Sequence, residues 1–274
     1  MREFKSQFGF LTIAQNNDIT DYLELAYQQA LNVKATQKQN QFAVLVDADT
    51  AKLITDQHRE IFDYIIEFST DHAKNEHWKM SNEWQAFYLT PFKETIKLES
   101  DLLFTRDITH WLDGLRFRDI CFSLHCKNLQ SENITSSPYR KIFKENDLPD
   151  IYTGMYYFRF SQTSADFFRT VRDVYAGWDT VKNHLALINE PPTTDLAFAV
   201  AAKIIGTDVC TIPTLEFFNF VHLKPQIQGW NETQAVTDHA NVEWQDNIVR
   251  INNRNQYYPV HYYEKGFVHA TRRI

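Results

Sequence analysis

A chain of 274 residues with 21 Phe, 13 Tyr and only 7 Gly has apolar material for one large core or two small ones, which excludes a disordered or low-complexity protein. Its formal charge of −7 argues against indiscriminate nucleic-acid binding. Cys121, Cys126 and Cys210 are odd in number and lack zinc spacing; with no basic–apolar–small leader and no apolar run of membrane-spanning length, the expectation is a soluble, cytoplasmic protein with reduced thiols.

The apolar run 8–14 reads as a first strand that ends at Gln15-Asn16-Asn17. Asp18 is placed to cap the helix that follows, whose buried stripe is Ile19, Leu23, Ala26, Ala30 and Val33. Residues 42–46 form a second, fully buried strand closing on Asp47, and 62–68 a third. Residues 95–98, bounded upstream by Pro91, form a fourth. Strand–helix alternation with apolar strands predicts an α/β fold, a mostly parallel central sheet flanked by helices. Ligands of such sheets bind beyond the carboxyl ends of the strands. Those ends here are Ala14-Gln15-Asn16, Asp47, Phe68-Ser69 and Glu99-Ser100-Asp101.

The last of these carries the most chemistry. Glu99 and Asp101 lie one residue apart where the fourth strand runs out, so period-two alternation points both carboxylates the same way. Such a pair can hold a hard divalent cation and leave positions open for phosphate oxygens. The competing reading is a solvated acidic turn, which the flanking apolar residues disfavour.

Farther on, 105–115 reads as a helix, 119–124 as a strand and 126–150 as a long polar loop suited to acceptor contacts. Residues 151–160 form an aromatic strand with Gly154 near its start, where a missing Cβ allows close approach of a ligand or marks a bulge. Ser164 is placed to cap a helix with the stripe Phe167, Val171, Val174 and Trp178. Thr194 as cap and Gly206 as stop bound another helix, with Asp195 in its first turn, where the helix dipole alone favours a carboxylate.

In Phe220-Val221-His222-Leu223-Lys224-Pro225, a neutral imidazole can ligate Mn²⁺ or Zn²⁺ and the nearby Lys224 can neutralise a diphosphate. His261 and His269 are rival ligands. The stretch 248–274 carries Arg250, Arg254, Lys265, Arg272 and Arg273 against Glu264 alone, interleaved with Tyr257, Tyr258, Tyr262, Tyr263 and Phe267. That pattern suits a grip on a nucleotide or nucleic acid, or a packed extension with a solvated face.

Taken together, these motifs resemble those of the GT-A glycosyltransferases. Thr95-Ile96-Lys97-Leu98-Glu99-Ser100-Asp101 resembles their Asp-x-Asp strand, with Glu99 where the family has Asp. Asp195 resembles the acidic start of their Asp-Gln helix. His222 and Lys224-Pro225, with Trp230, resemble the His-x-x-Gly-x-x-Lys-Pro-Trp signature of glycogenin-like and galactosyltransferase-like members, at altered spacing.

The resemblance implies a GT-A-like catalytic domain over 1–230, with a donor half of about 1–125 and an acceptor half of about 126–230, and a basic, aromatic C-terminal extension over 231–274. It implies Mn²⁺ (or Mg²⁺) held by Glu99, Asp101 and His222. The donor would be a UDP-sugar of glucose or arabinose type, seated against Ala14, Gln15, Asn16, Asp47, Ser100, Gly154 and Lys224. Asp195 would face the reacting sugar as the catalytic carboxylate, and transfer would retain configuration.

The wording of 97–103, 139–143 and 157–163 is similar to that of tailed-phage glycosyltransferases. It implies hydroxymethylated double-stranded DNA as acceptor, with the site of action in the host cytoplasm; a protein, glycan or small-molecule acceptor is the alternative. Two other classes stand beside this reading. A nucleotidyltransferase would carry a Gly- and Lys/Arg-rich phosphate loop in place of Gln15-Asn16-Asn17-Asp18. A non-catalytic nucleotide-sugar-binding module would keep the fold and the donor site without turnover.

Overall fold

A computed structural model describes residues 3–77, 79–135, 137–185, 192–212, 215–224, 240–245 and 248–267. The first half of the chain supplies β1 (Ser6–Ala14), β2 (Phe42–Val46), β3 (Tyr64–Glu67), β4 (Phe92–Leu98), β5 (Leu102–Leu103), β6 (Ile120–Ser123), β7 (Cys126–Lys127) and β8 (Asn133–Ile134). The second half supplies β9 (Tyr152–Arg159), β10 (Val221–His222), β11 (Val242–Gln245), β12 (Ile248–Ile251), β13 (Arg254–Gln256) and β14 (Val260–His261).

The central sheet has the order β3-β2-β1-β4-β9-β6. Its first four strands are parallel, and β9 enters antiparallel between β4 and β6. The fold is thus α/β, with a mixed central sheet flanked by helices. Every residue of β2 is buried, as a strand covered on both faces requires. The helix Tyr22–Thr36 lays Leu23, Ala26, Ala30 and Val33 on one face of β1 and β2. Helices Gln162–Ala176 and Thr194–Ile205 cover β9 and β6 through a cluster that contains Phe122, Tyr156, Phe158, Phe167, Phe168 and Phe198.

Several caps differ from the sequence reading. Asp21, not Asp18, caps the first helix, accepting from the Glu24 N–H at 3.0 Å. The reason is Asn17, whose Oδ1 accepts from the N–H groups of Ile19 and Thr20 and holds them in a turn outside the helix. Ile19 is consequently 76% exposed instead of buried. Ser161 rather than Ser164 caps the second long helix, and Thr193 rather than Thr194 the third. Gly206, at φ 119°, stops that helix as expected.

Two segments also differ in kind. Residues 105–115 form two short turns, Thr109–Trp111 and Leu112–Leu115, because Asp107 Oδ1 accepts from both the N–H and the hydroxyl of Thr109 and competes with a helix start. The stretch 126–150 is no plain loop: it contains β7, β8 and the helix Ser137–Glu145, which buries Phe143 and the stem of Arg140.

A second sheet, β5-β14-β10-β7-β8, abuts the carboxyl end of β4. Here β14 lies between β5 and β10, pairing His261 with His222 on one side and with Leu102 on the other. Val260, Tyr262 and Phe267 are buried in the same cluster as Leu103 and Val221, so this part of the chain is core in its own right. β11, β12 and β13 form an antiparallel meander beside it. Among the described residues, no helix is long and apolar enough to cross a membrane.

Candidate active site

The acidic turn is pinned from three directions. Glu99 N–H donates to the Gly154 carbonyl on β9 at 2.9 Å, which extends the sheet ladder one residue past β4. The buried amide of Gln29 donates to the carbonyls of Glu99 and Leu102, at 2.6 and 2.7 Å. The Asp101 carbonyl accepts from Tyr262 N–H at 3.0 Å, tying the turn to the segment after β14. These bonds leave the two carboxylates fixed side by side.

His261 completes the cluster. Its Nε2 lies 3.0 Å from Glu99 Oε2 and 3.1 Å from Asp101 Oδ1, and one ligand atom from each residue falls within 4.8 Å of the others. Lys265 makes an ion pair with the other Asp101 oxygen. Burial opposes charge on every member, but the opposite charges win. Despite desolvation, the paired cations hold the carboxyls of Asp101 and Glu99 below their ordinary range, and the two carboxylates raise His261 to about 9. Two carboxylate oxygens and one imidazole nitrogen converging on a point form a donor set that fits Mn²⁺ or Mg²⁺, and the same negative field that protonates His261 favours a divalent cation.

His222 stands directly behind. Its ring is stacked on that of His261, 4.5 Å between centroids and 9° from parallel, as the in-register pairing of β10 with β14 dictates. Burial, with the neighbouring His261 cation, pushes its pKa well below the usual value, so His222 is neutral. Gly154 lies across from both. A Cβ there would approach Phe220 at 3.0 Å and His261 Nδ1 at 3.2 Å, so the absent side chain lets the His261 ring sit against β9.

These residues open onto a cavity of about 570 Å³ at the carboxyl ends of β1 and β4. Of the residues expected from sequence, Glu99, Ser100, Asp101 and Gly154 line it, as do Gln15, Asp195, His222 and Lys224. Ala14, Asn16 and Asp47 are not on its wall. Ala14 is buried in the sheet, paired with Val46. Asn16 takes the Leu23 N–H on Oδ1 and donates to Asp21, which shapes the start of the first helix. Asp47 caps the turn at Thr50 and accepts from the Gln15 amide at 3.1 Å, so it orients Gln15 from behind. His269 and the stretch 225–230 lie outside the described residues.

Asp195 is held at both oxygens. Oδ1 accepts from the N–H and the hydroxyl of Thr153, and Oδ2 accepts from Arg140 Nη2 at 2.6 Å. Arg140 is itself fixed, its guanidinium 3.6 Å over the Tyr152 ring and donating to the Ile151 carbonyl at 2.9 Å. The carboxylate at the start of the Thr194–Ile205 helix is therefore a rigid negative charge on the cavity wall. From sequence, His261 is only a rival ligand, and Lys265 is one of the basic residues of a stretch suited to a nucleotide or nucleic acid or to a packed extension, with no link to Asp101. A two-residue strand has no periodicity to reveal it, and the adjacency of His222 and His261 arises from tertiary pairing.

No family model and no curated protein matches the chain in sequence. Among solved structures it is similar to mouse xyloside xylosyltransferase 1, at 9% identity and TM-score 0.47 over 75% of this chain and 84% of that one. It is similar to the glycosyltransferase GlyE of Streptococcus pneumoniae at 8% identity and TM-score 0.45, over 75% of this chain and 45% of GlyE, so it spans less than half of that protein. It is also similar to 4-diphosphocytidyl-2C-methyl-D-erythritol synthase from Anaerococcus prevotii, at 10% identity and TM-score 0.37, over 76% of this chain and 88% of that one.

Proposed function

We propose that this chain is a metal-dependent glycosyltransferase of the GT-A type, which moves a sugar from a nucleotide-sugar to an acceptor hydroxyl. The observation that carries the reading is the Glu99–Asp101–His261 cluster, set at the carboxyl end of β4 and facing a cavity of about 570 Å³. That volume lies within the range of small-molecule sites, roughly 300–1,000 Å³. A Mn²⁺ or Mg²⁺ ion held by Glu99, Asp101 and His261 would act as a Lewis acid toward the departing diphosphate.

The chain's own residues supply the rest. Lys224 and Lys265, both on the cavity wall, add positive charge where the diphosphate leaves. His261 takes the ligand role expected of His222, and the neutral His222 ring braces it through the stack. Gln15 and Ser100, at the ends of β1 and β4, face the nucleotide, with Asp47 orienting Gln15. Asp195, fixed by Arg140 and Thr153, presents a negative charge toward the sugar carbon as positive charge develops there.

The finer reading rests on the sequence resemblance: UDP as nucleotide, a glucose- or arabinose-type sugar, Mn²⁺ as the metal, retention of configuration, and hydroxymethylated cytosine in duplex DNA as acceptor. Slow hydrolysis of a panel of nucleotide-sugars, with Mn²⁺ and with chelator, tests the core of the proposal in wild type and Asp101→Asn. Metal-dependent release of UDP from one sugar, lost in the variant, is the expected result. Absence of both hydrolysis and metal-dependent UDP binding by calorimetry would refute it. Binding without turnover, in the presence of hydroxymethylated DNA and glycan acceptors, would point to a binding module.

A further inference from the structure

On the same wall lies a charged pair that the proposed chemistry does not use. Lys97 sits in mid-sheet on β4, paired with Leu11 on one side and Tyr156 on the other. Its ammonium makes an ion pair with Glu83, just ahead of the helix Gln85–Leu89, and Glu83 Oε1 also accepts from the Tyr156 hydroxyl at 3.1 Å. Lys97 is 3% and Glu83 7% exposed, and both line the cavity.

The pair makes little sense as a stabilising device. Taking two charges out of water costs much of what their attraction returns, and an apolar pair of similar volume is commonly as stable or more so. The neighbourhood offers apolar partners in plenty, since Tyr156 packs among Phe122, Phe158, Phe168 and Phe198. What the pair does offer is a carboxylate and an ammonium side by side on the wall of a cavity. Lys97 and Tyr156 both meet Glu83 at Oε1, which leaves Oε2 for a further donor.

Lys97 precedes Glu99 by two residues, so strand alternation places both on one face, with their Cα atoms about 7 Å apart, and both line the cavity. That spacing is about the width of one sugar ring. A pyranose carries adjacent hydroxyls that each donate and accept, so a carboxylate can accept hydrogen bonds from them while an ammonium donates to a ring-substituent oxygen.

We propose that Glu83 and Lys97 form a sugar-reading dyad that selects the donor by the configuration of its hydroxyls, with the Glu99–Asp101–His261 cluster holding the diphosphate end. The assignment rests on the glycosyltransferase reading of this cavity and adds the residues that set its donor specificity. It gives the dyad a role in recognition, distinct from the fixed charge of Asp195 opposite.

The test is calorimetry in the presence of Mn²⁺, with UDP, UDP-glucose, UDP-galactose and UDP-xylose as probes, on wild type and on the double variant Glu83→Gln/Lys97→Met. That variant removes both charges at once and so leaves no unpaired ion in the core. Wild type is expected to spread the three sugars over about tenfold or more in affinity, the effect of hydrogen bonds to a charged group. The double variant is expected to bind UDP within about twofold of wild type while that spread collapses.

A double variant that keeps the wild-type ranking would overturn the dyad and leave the metal site standing. So would a wild type that binds UDP but ranks the three sugars equally. A wild type that binds none of the four, with or without Mn²⁺, would overturn the functional reading and the dyad with it. Thermal melting reports whether the double variant is folded. If it is not, Glu83→Asp keeps the charge but withdraws it by one methylene, and an unchanged ranking there would equally refute the proposal.

Discussion

His261 meets two carboxylates through a single nitrogen, and the consequence is a charge held where burial alone would remove it. Its pKa is raised from the ordinary 6.5 to about 9. A group raised on folding adds stability that is complete below its unfolded value and is lost as pH climbs through its folded value. The chelator-treated protein should therefore lose stability between about pH 6.5 and 9, and His261→Gln should flatten that slope in denaturant titrations. A divalent ion that takes Nε2 must displace its proton, so Mn²⁺ affinity should rise over the same window, with proton release visible by calorimetry in buffers of different ionisation heat. The two histidines should also separate by mutation. His261→Ala is expected to weaken Mn²⁺ by at least about 10–100-fold, whereas His222→Phe, which keeps the ring stack, should cost less than about tenfold. Equal losses would make His222 a ligand as well.

At the scale of elements, the acidic turn depends on a helix that meets the cavity only at its first residue, Tyr22. Gln29, on the buried side of Tyr22–Thr36, donates to two carbonyls of that turn, and Leu in its place would remove both bonds, leaving the Glu99 carbonyl only the Leu102 N–H at 3.2 Å. Gln29→Leu should destabilise the fold by about 1–3 kcal/mol and weaken Mn²⁺ in parallel, as thermal melting and metal titration would show. A variant that loses stability but keeps its metal affinity would show that the turn holds itself.

How much of this was legible follows from the length of each element. β1 and β2 are largely apolar runs of nine and five residues, β4 runs for seven with Ile96 and Leu98 at its end, and these ends placed Gln15, Glu99 and Asp101 at one rim. β5, β10 and β14 have two residues each, too few for any period, and they exist because they pair with one another. The caps failed for a related reason. Asp18 and Asp21 are equally good caps by type, and the bonds from Asn17 to Ile19 and Thr20 decide between them. Arg140, which fixes Asp195, sits in a stretch whose polarity reads as loop because its apolar face is short.

For the whole molecule, the site joins parts of the chain that are far apart in sequence. Asp101 and His261 are separated by 160 residues, His222 enters from a third segment, and Lys265 from the last described turn. A ligand that needs all of these at once binds only the folded chain, so its binding free energy is added to the stability of the fold. At a ligand concentration about 100-fold above its dissociation constant the gain is about 2.7 kcal/mol, which for a chain of this size is about 5–10 °C in melting temperature. Mn²⁺ and UDP together should give that shift, either one alone a smaller one, and chelator should abolish the joint effect. Asp101→Asn should do the same without metal being withdrawn, since it weakens the cluster that the ion and Lys265 share. A shift with UDP that chelator leaves intact would mean that the nucleotide is held by Lys224, Lys265 and the strand ends alone. The Glu99–Asp101–His261 cluster would then serve the fold, and its part in sugar transfer would have to be given up.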